Sequence, residues 1–269
     1  AVRIIYNIKS VQFFNSRFFI IRGKTALNTV KISAGNTKMI AHRGLSGLEC
    51  ENTAAAFVAA GNRSYFGIET DVHRTADGKY IIIHDDDTGR ICEDKLSVEE
   101  SSFKVLRTLR LCDRLGRKRA DLCLPSLHEY LRICSLYNKN CVLELKKPFE
   151  KEDIKNILDI VKAEYNPKRL IFISFDYKNL IYLRELSDDL TLQYLCGCNV
   201  DVGLIEKLKR YEFDLDIEHS FLTEQNILKL HENSISVNCW TVDDKHRAEE
   251  LVGWNADYIT TNILEADGK

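Results

Sequence analysis

Residues 67–72 read GIETDV, an apolar strand that ends in carboxylates, and the same design recurs along the chain. Side chains of a β-strand alternate between two faces, so Glu69 and Asp71 share one face while the residues beside them share the other. Further apolar runs also end in residues able to bind a metal or a phosphate: MIAHRG at 39–44, IIIHD at 81–85 and CVLELK at 141–146. The sequence therefore predicts that chemistry is concentrated at strand ends.

Strand-like and helix-like segments alternate over most of the chain, which is typical of a parallel sheet. Strands are expected to start near residues 39, 67, 141, 170, 190, 213, 235 and 257, and helices over 154–165, 177–186, 202–209, 223–231 and 244–252. Eight such strands favour a closed (β/α)8 TIM barrel, an α/β fold whose active sites lie at the C-terminal strand ends. The runner-up is a doubly wound sheet, which would instead gather ligand residues at one switch point.

Residues 85 to about 124 are too long for an ordinary loop between the second and third barrel strands, and we expect an insertion beside the site. The insertion contains the basic run RLGRKR at 114–119. Because no aromatic residues are interleaved with these charges, the run favours a solvated loop over a nucleic-acid surface.

Residues 1–38 form a basic N-terminal extension ahead of a barrel domain over 39–269. The extension holds seven Lys or Arg and no Asp or Glu. The barrel domain therefore contains the other 31 of the 38 basic residues and all 40 acidic residues, which gives it a net charge of −9. This bias fits the remnant of an organelle presequence and fits an ordinary basic extension equally well.

The cysteines indicate a reducing compartment, cytoplasmic or organellar. The nine cysteines are an odd number at irregular spacing, without a CxxC pair, so disulfides are not expected. No stretch reaches the roughly 18 apolar residues of a membrane span. The oligomeric state is left open.

The residues at the strand ends narrow the reaction. Three carboxylates, Glu69, Asp71 and Glu144, suit a hard divalent cation such as calcium or magnesium better than zinc. Arg43 and Lys146 are of the types that hold phosphate oxygens. Next to them in sequence, two histidines that titrate near neutral pH can exchange protons with a substrate: His42 and His84. Together these groups indicate phosphodiester cleavage.

The motifs resemble the glycerophosphodiester phosphodiesterase family, which shares its barrel with the phosphatidylinositol-specific phospholipases C. The resemblance covers nearly all of residues 39–269 and departs at Cys50, where the family usually has proline. It rests on the order and spacing of HRG at 42–44, ENT at 51–53, ETDV at 69–72, HD at 84–85, LPSL at 124–127, ELK at 144–146, SFD at 174–176, WTV at 240–242 and TTN at 260–262.

The resemblance implies a role for each candidate residue. His42 and His84 would be the acid and base, in an order that the sequence does not decide. Glu69, Asp71 and Glu144 would bind calcium or magnesium, and Arg43 and Lys146 the phosphate. Phe175 and Trp240 are aromatic residues at strand ends. From the residues alone, a role in core packing and a role in lining the pocket are equally compatible, and the family pattern favours pocket lining.

The implied reaction is hydrolysis of small glycerophosphodiesters, such as glycerophosphocholine or glycerophosphoethanolamine, to glycerol 3-phosphate and an alcohol. One alternative is a lysophospholipase D or sphingomyelinase D activity, which needs an apolar, membrane-facing rim. The other is a non-catalytic barrel that binds phosphorylated compounds, which would be expected to lack a ligand or a histidine.

Overall fold

The fold is known from a computed structural model that describes residues 28–267. Its strands are β1 Val30–Ile32, β2 Lys38–Ala41, β3 Gly67–Arg74, β4 Tyr80–Ile82, β5 Asn140–Leu145, β6 Leu170–Ser174, β7 Thr191–Cys196, β8 Asp214–Glu218, β9 Val237–Trp240, β10 Tyr258–Thr261 and β11 Leu264–Ala266. Its α-helices are α1 Ala54–Gly61, α2 Phe103–Leu106, α3 Leu127–Leu136, α4 Lys151–Glu164, α5 Tyr177–Leu186, α6 Val202–Lys209, α7 Glu224–Glu232 and α8 Lys245–Gly253.

Eight parallel strands close a barrel in the order β2, β3, β5, β6, β7, β8, β9 and β10, and β2 pairs with both β3 and β10. Each of these strands begins within two residues of its predicted start. The predicted (β/α)8 barrel is therefore confirmed.

Six of the helices between the strands, α1, α3, α5, α6, α7 and α8, begin at a side chain that caps them. Thr53, Ser126, Asp176, Asp201, Thr223 and Asp244 each accept a hydrogen bond from a backbone N–H of the following helix. Such caps satisfy donors that the first helical turn leaves unpaired. Each helix then buries an apolar stripe against the sheet, as α4 does with Ile154, Ile157, Leu158 and Val161.

Between β3 and β5 the chain makes an extra hairpin. β4 pairs antiparallel with the end of β3, with Val72 opposite Ile82, and its last residues lead directly to His84. Residues 83–126 then contain the short helix α2 and a separate apolar cluster that includes Ile83, Val98 and Leu111. This segment lies beside the C-terminal end of β3, where the candidate residues are found.

Part of the predicted N-terminal extension belongs to the folded body. β1 pairs in parallel with β11, and the carboxylate of Glu265 accepts hydrogen bonds from Ser64 and contacts Lys31 at 2.7 Å. Residues 1–27, on which most of the presequence prediction falls, lie outside the described residues. Within residues 28–267 no helix is long and apolar enough to cross a membrane.

Candidate active site

The three predicted carboxylates meet at the C-terminal end of the barrel. Glu69 and Asp71 project from β3 and Glu144 from the neighbouring β5, where Asp71 lies directly opposite Glu144 in the strand register. One oxygen from each lies within 4.8 Å of the others, and all three side chains are buried. Asp71 Oδ1 has no hydrogen-bond partner among residues 28–267, whereas Glu144 Oε1 lies 2.8 Å from the ammonium nitrogen of Lys146. A buried carboxylate oxygen without a hydrogen-bond donor, such as Asp71 Oδ1, is available to a cation.

Burial and mutual repulsion raise the pKa values of two of the three carboxyl groups in the cluster. Burial, followed by the charge of Asp71, raises the pKa of Glu69 well above its usual range and that of Glu144 to about 8. Burial acts the same way on Asp71, but the charges of Arg43 and Lys146 outweigh it and lower the pKa of Asp71. Near neutral pH the cation-free cluster therefore retains protons on Glu69 and Glu144, and a bound cation would displace them.

Two basic side chains border this cluster. Lys146 Nζ lies 2.8 Å from Glu144 Oε1 and 3.6 Å from Asp71 Oδ1. Arg43 Nε lies 3.6 Å from Asp71 Oδ2, and its backbone N–H donates to Glu69 at 2.7 Å. Arg43 has a positive φ of 53°, which is uncommon for a residue other than glycine. In this conformation its backbone N–H points at Glu69.

A neutral side chain orients His42, which follows β2. Its Nδ1 lies 2.8 Å from Asn262 Oδ1, just after β10. Burial, then the nearby charge of Arg43, lowers the pKa of His42 from 6.5 to about 4. His42 is therefore a neutral imidazole near pH 7.

His84 is bound to charged groups instead. It follows β4, and the backbone N–H of Ile83 donates to the carbonyl oxygen of Asp71, which places the histidine beside the cluster. His84 Nδ1 lies 2.6 Å from Asp85 Oδ1, and Arg90 Nε lies 2.5 Å from Asp85 Oδ2. Asp85 keeps its negative charge because hydrogen bonds from His84 and Arg90 outweigh burial and lower its pKa.

The two predicted aromatic residues pack against each other at the strand ends. The rings of Phe175, after β6, and Trp240, the last residue of β9, have centroids 5.7 Å apart and meet edge to face. The Phe175 side chain is 48% exposed, and Trp240 Nε1 has no hydrogen-bond partner in the described part of the chain.

Several residues outside the predicted catalytic, phosphate-binding and metal-binding sets lie around the site. Glu51 joins Arg43 to Arg90, with contacts of 2.8 Å and 2.7 Å, and Asn52 donates to Asp71 at 2.7 Å. Asp85 directly follows His84, and Asn262 directly follows a barrel strand. Their proximity to strand ends was therefore the signal in the sequence that could have identified Asp85 and Asn262 as site residues. Glu51 and Arg90 are 39 positions apart, and only the fold brings them together.

The fold and the acidic cluster together define the class: a TIM-barrel enzyme whose site lies at the C-terminal ends of its strands. The sequence model of the glycerophosphoryl diester phosphodiesterase family matches residues 42–266. The chain therefore belongs to that family, and the family predicted from its motifs is confirmed.

Individual relatives agree with this assignment. The chain is 28% identical to the glycerophosphodiester phosphodiesterase of Caldanaerobacter subterraneus subsp. tengcongensis, over 85% of this chain and 95% of the relative. An Oleispira antarctica phosphodiesterase, solved with the product sn-glycerol-3-phosphate, has a TM-score of 0.76 and 26% identity over 86% of this chain and 96% of that one. A Parabacteroides distasonis glycerophosphodiester phosphodiesterase has a TM-score of 0.71 and 28% identity over 84% and 93%.

Proposed function

We propose that the protein hydrolyses glycerophosphodiesters, such as glycerophosphocholine or glycerophosphoethanolamine, to glycerol 3-phosphate and an alcohol. The observation that carries the proposal is the buried cluster of Glu69, Asp71 and Glu144, bordered by Arg43 and Lys146. The Oleispira antarctica relative, which holds sn-glycerol-3-phosphate, supports the glycerophosphate half of the substrate.

Glu69, Asp71 and Glu144 would hold a divalent cation, calcium or magnesium. The set is all oxygen and buried, and one of its oxygens, Asp71 Oδ1, has no hydrogen-bond donor within the described residues. A bound cation of this kind lowers the pKa of a coordinated hydroxyl and offsets charge on phosphoryl oxygens.

Arg43 and Lys146 would bind the substrate phosphate. Both are largely buried, and both are held close to Asp71, at 3.6 Å each. Their fixed positions would align the phosphodiester before reaction, which removes an orientational cost from the chemical step. The pKa of Lys146 is raised, because the charges of Asp71 and Glu144 outweigh burial, so it stays cationic.

The hydrogen bonds of the two histidines favour different roles. The amide oxygen of Asn262 faces His42 Nδ1 and can only accept, so Nδ1 carries the proton of the neutral ring and Nε2 is free to take one. His42 would therefore be the general base. His84 would be the general acid: the carboxylate of Asp85 accepts a hydrogen bond from its Nδ1 at 2.6 Å, and Nε2 would give its proton to the leaving alkoxide.

Phe175 and Trp240 would line the substrate pocket. Their edge-to-face pair offers an apolar surface at the mouth of the site, suited to the carbon skeleton of a glycerol unit. With the glycerol unit held there, the alcohol half would point toward the insertion at 85–124, and different alcohol groups would be tolerated.

The test is a steady-state assay of the purified chain on glycerophosphocholine, glycerophosphoethanolamine and a lysophospholipid with the choline head group. Each is measured with calcium, with magnesium and with a chelator. We expect similar kcat/KM on the two small diesters, little on the lipid, and loss of turnover on chelation. A tenfold or greater preference for the lipid would favour a lysophospholipase D. Full turnover after exhaustive chelation would remove the metal from the proposal.

A further inference from the structure

Asp243 lies beyond the predicted site, yet it is connected to it by three hydrogen bonds. It follows β9 and sits on the exposed rim of the barrel. Its Oδ1 accepts from the hydroxyl of Thr261 at 3.0 Å and from the backbone N–H of Asn262 at 2.7 Å. Its Oδ2 accepts from the side-chain amide of Asn262 at 2.6 Å. The carboxylate thus holds both the backbone and the side chain of Asn262.

These contacts decide which way the Asn262 amide points. A carboxylate only accepts hydrogen bonds, so the group facing Asp243 must be the amide nitrogen, Nδ2. The amide oxygen then faces the other side, where it lies 2.8 Å from His42 Nδ1 and 2.6 Å from Ser46 Oγ. Ser46 Oγ also lies 2.7 Å from the backbone carbonyl oxygen of His42, so its one proton can go to either acceptor, and the orientation of the amide is decided by Asp243.

We propose that Asp243 is a positioning residue that selects the tautomer of His42 through Asn262. The inference rests on the proposed role of His42 as the general base. With the Asn262 oxygen fixed toward it, the neutral ring carries its proton on Nδ1 and keeps the lone pair of Nε2 for the substrate proton. Asp243 itself touches neither the histidine nor the acidic cluster. Its effect passes entirely through the amide.

Replacing Asp243 by Asn reverses the arrangement with almost no change of shape. The new amide oxygen can still accept from Thr261 and from the backbone of Asn262, which turns the new NH2 group toward the Asn262 side chain. Asn262 must then rotate its own oxygen toward position 243 and its NH2 toward His42. The ring would have to accept at Nδ1 and carry its proton on Nε2, the wrong nitrogen for a base.

The kinetic test compares Asp243→Asn, Asn262→Asp and the double variant with Asp244→Asn as a matched control. Asp244 is the neighbouring exposed carboxylate, and it caps α8, a role that Asn fills as well. We expect Asp243→Asn to lower kcat by ~10²- to 10⁴-fold, the span for loss of a general base. The single change Asn262→Asp sets two carboxylates face to face and should also fail.

The double variant should recover to within about tenfold of the parent, because the exchanged pair again presents an acceptor to His42 and a donor behind it. The acidic limb of its kcat/KM profile should move to higher pH, since a carboxylate beside the ring raises the pKa of His42. If the losses of the single variants multiply in the double variant, the proposal is overturned.

The tautomer can also be measured without turnover, by two-bond proton–nitrogen NMR spectra of the full chain labelled with ¹⁵N-histidine. The His42 signals are those that disappear in His42→Gln. We expect the Nδ1–H form in the parent and in Asp244→Asn, and the Nε2–H form in Asp243→Asn. An unchanged tautomer in Asp243→Asn overturns the role of Asp243. If the tautomer changes but the parent has no activity on glycerophosphodiesters, the proposed function fails and the positioning inference stands.

Discussion

The two halves of the barrel contribute unlike groups to the site. The first half, β2 to β5 with the hairpin strand β4, carries the three carboxylates, both histidines and both basic residues. The second half, β6 to β10, contributes the aromatic pair and a buried polar chain in which Thr260 donates to Asn238 and Asn238 to Gln193. The difference implies that the first half supplies the charged groups of the site, while the second half shapes the site and orients its residues. Substitutions should then have large effects in the first half and small ones in the second, apart from residues that position a histidine.

The largest effect is expected for Glu69→Gln in the first half. The substitution removes one ligand charge but leaves an amide oxygen that can accept the backbone N–H of Arg43, so the fold should be kept. We expect kcat/KM to fall by roughly 10³-fold or more, because the acidic set loses its affinity for the cation. Metal affinity by calorimetry and kcat/KM are the measurements. Glu185→Gln, in an exposed ion pair with Lys151, is the control and should change neither. Near-normal metal affinity in Glu69→Gln would contradict the ligand assignment.

The next effect concerns the two histidines as a unit. Replacing His42 or His84 by Ala should each cost roughly 10²- to 10⁴-fold in kcat, since one proton transfer loses its catalyst. The fall in kcat of the double variant should be much smaller than the product of the two single falls, because a reaction that has lost its general base gains little from its general acid. His128→Ala removes an exposed histidine of α3 and should have no effect. Losses that multiply cleanly would show that the two groups serve independent steps.

The charged half of the site was largely predictable from the sequence. Strand periodicity alone placed Glu69 with Asp71 on one face, and the alternation of strands and helices brought Glu144 alongside. These are local regularities that a single chain displays. The roles of the two histidines were not predictable, because they depend on partners distant in sequence: Asn262 lies 220 positions from His42.

Other parts were out of reach for a related reason. Nothing in the sequence separates Asp243 from its neighbour Asp244, since one holds Asn262 and the other caps a helix. The antiparallel pairing of β4 with the end of β3, which sets His84 beside Asp71, was not predicted either. Local patterns thus predict which residue types reach the site, whereas their protonation and orientation depend on contacts across the barrel.

A smaller effect is expected on the pH dependence of stability in the metal-free protein. Burial raises the pKa of Glu144 to about 8, and that of Glu69 also lies well above 4.5. The folded state therefore holds protons that the unfolded chain has released, so stability falls as pH rises from about 5 to 8. Each group contributes a slope of at most ~1.4 kcal/mol per pH unit. His42 acts in the opposite direction, between pH 4 and 6.5, where its unfolded form binds the extra proton.

Between pH 6.5 and 8 the effect of the carboxyl groups on stability outweighs the fading effect of His42. Urea unfolding with a chelator present should show the free energy of unfolding falling across this window in the parent. The slope should be shallower in Glu144→Gln, which cannot ionise. Saturating calcium or magnesium should raise stability most at pH 8, since the cation replaces the bound protons. Equal slopes in the parent and in Glu144→Gln would mean that Glu144 is already ionised in the metal-free fold.

The smallest effect is expected in the second half, at Phe175. Its ring is 48% exposed and packs on Trp240, so Phe175→Ala removes an apolar surface, proposed to line the pocket, without removing charge or a proton donor. Contacts made equally in the bound substrate and in the transition state affect KM and leave kcat nearly unchanged. We therefore expect KM to rise a few-fold, by about the same factor for both small diesters. The control is Leu136→Ala, which removes an 80% exposed apolar side chain from the end of α3. A tenfold or larger fall in kcat for Phe175→Ala would mean that the aromatic half also takes part in the chemical step, and the division between the two halves would not hold.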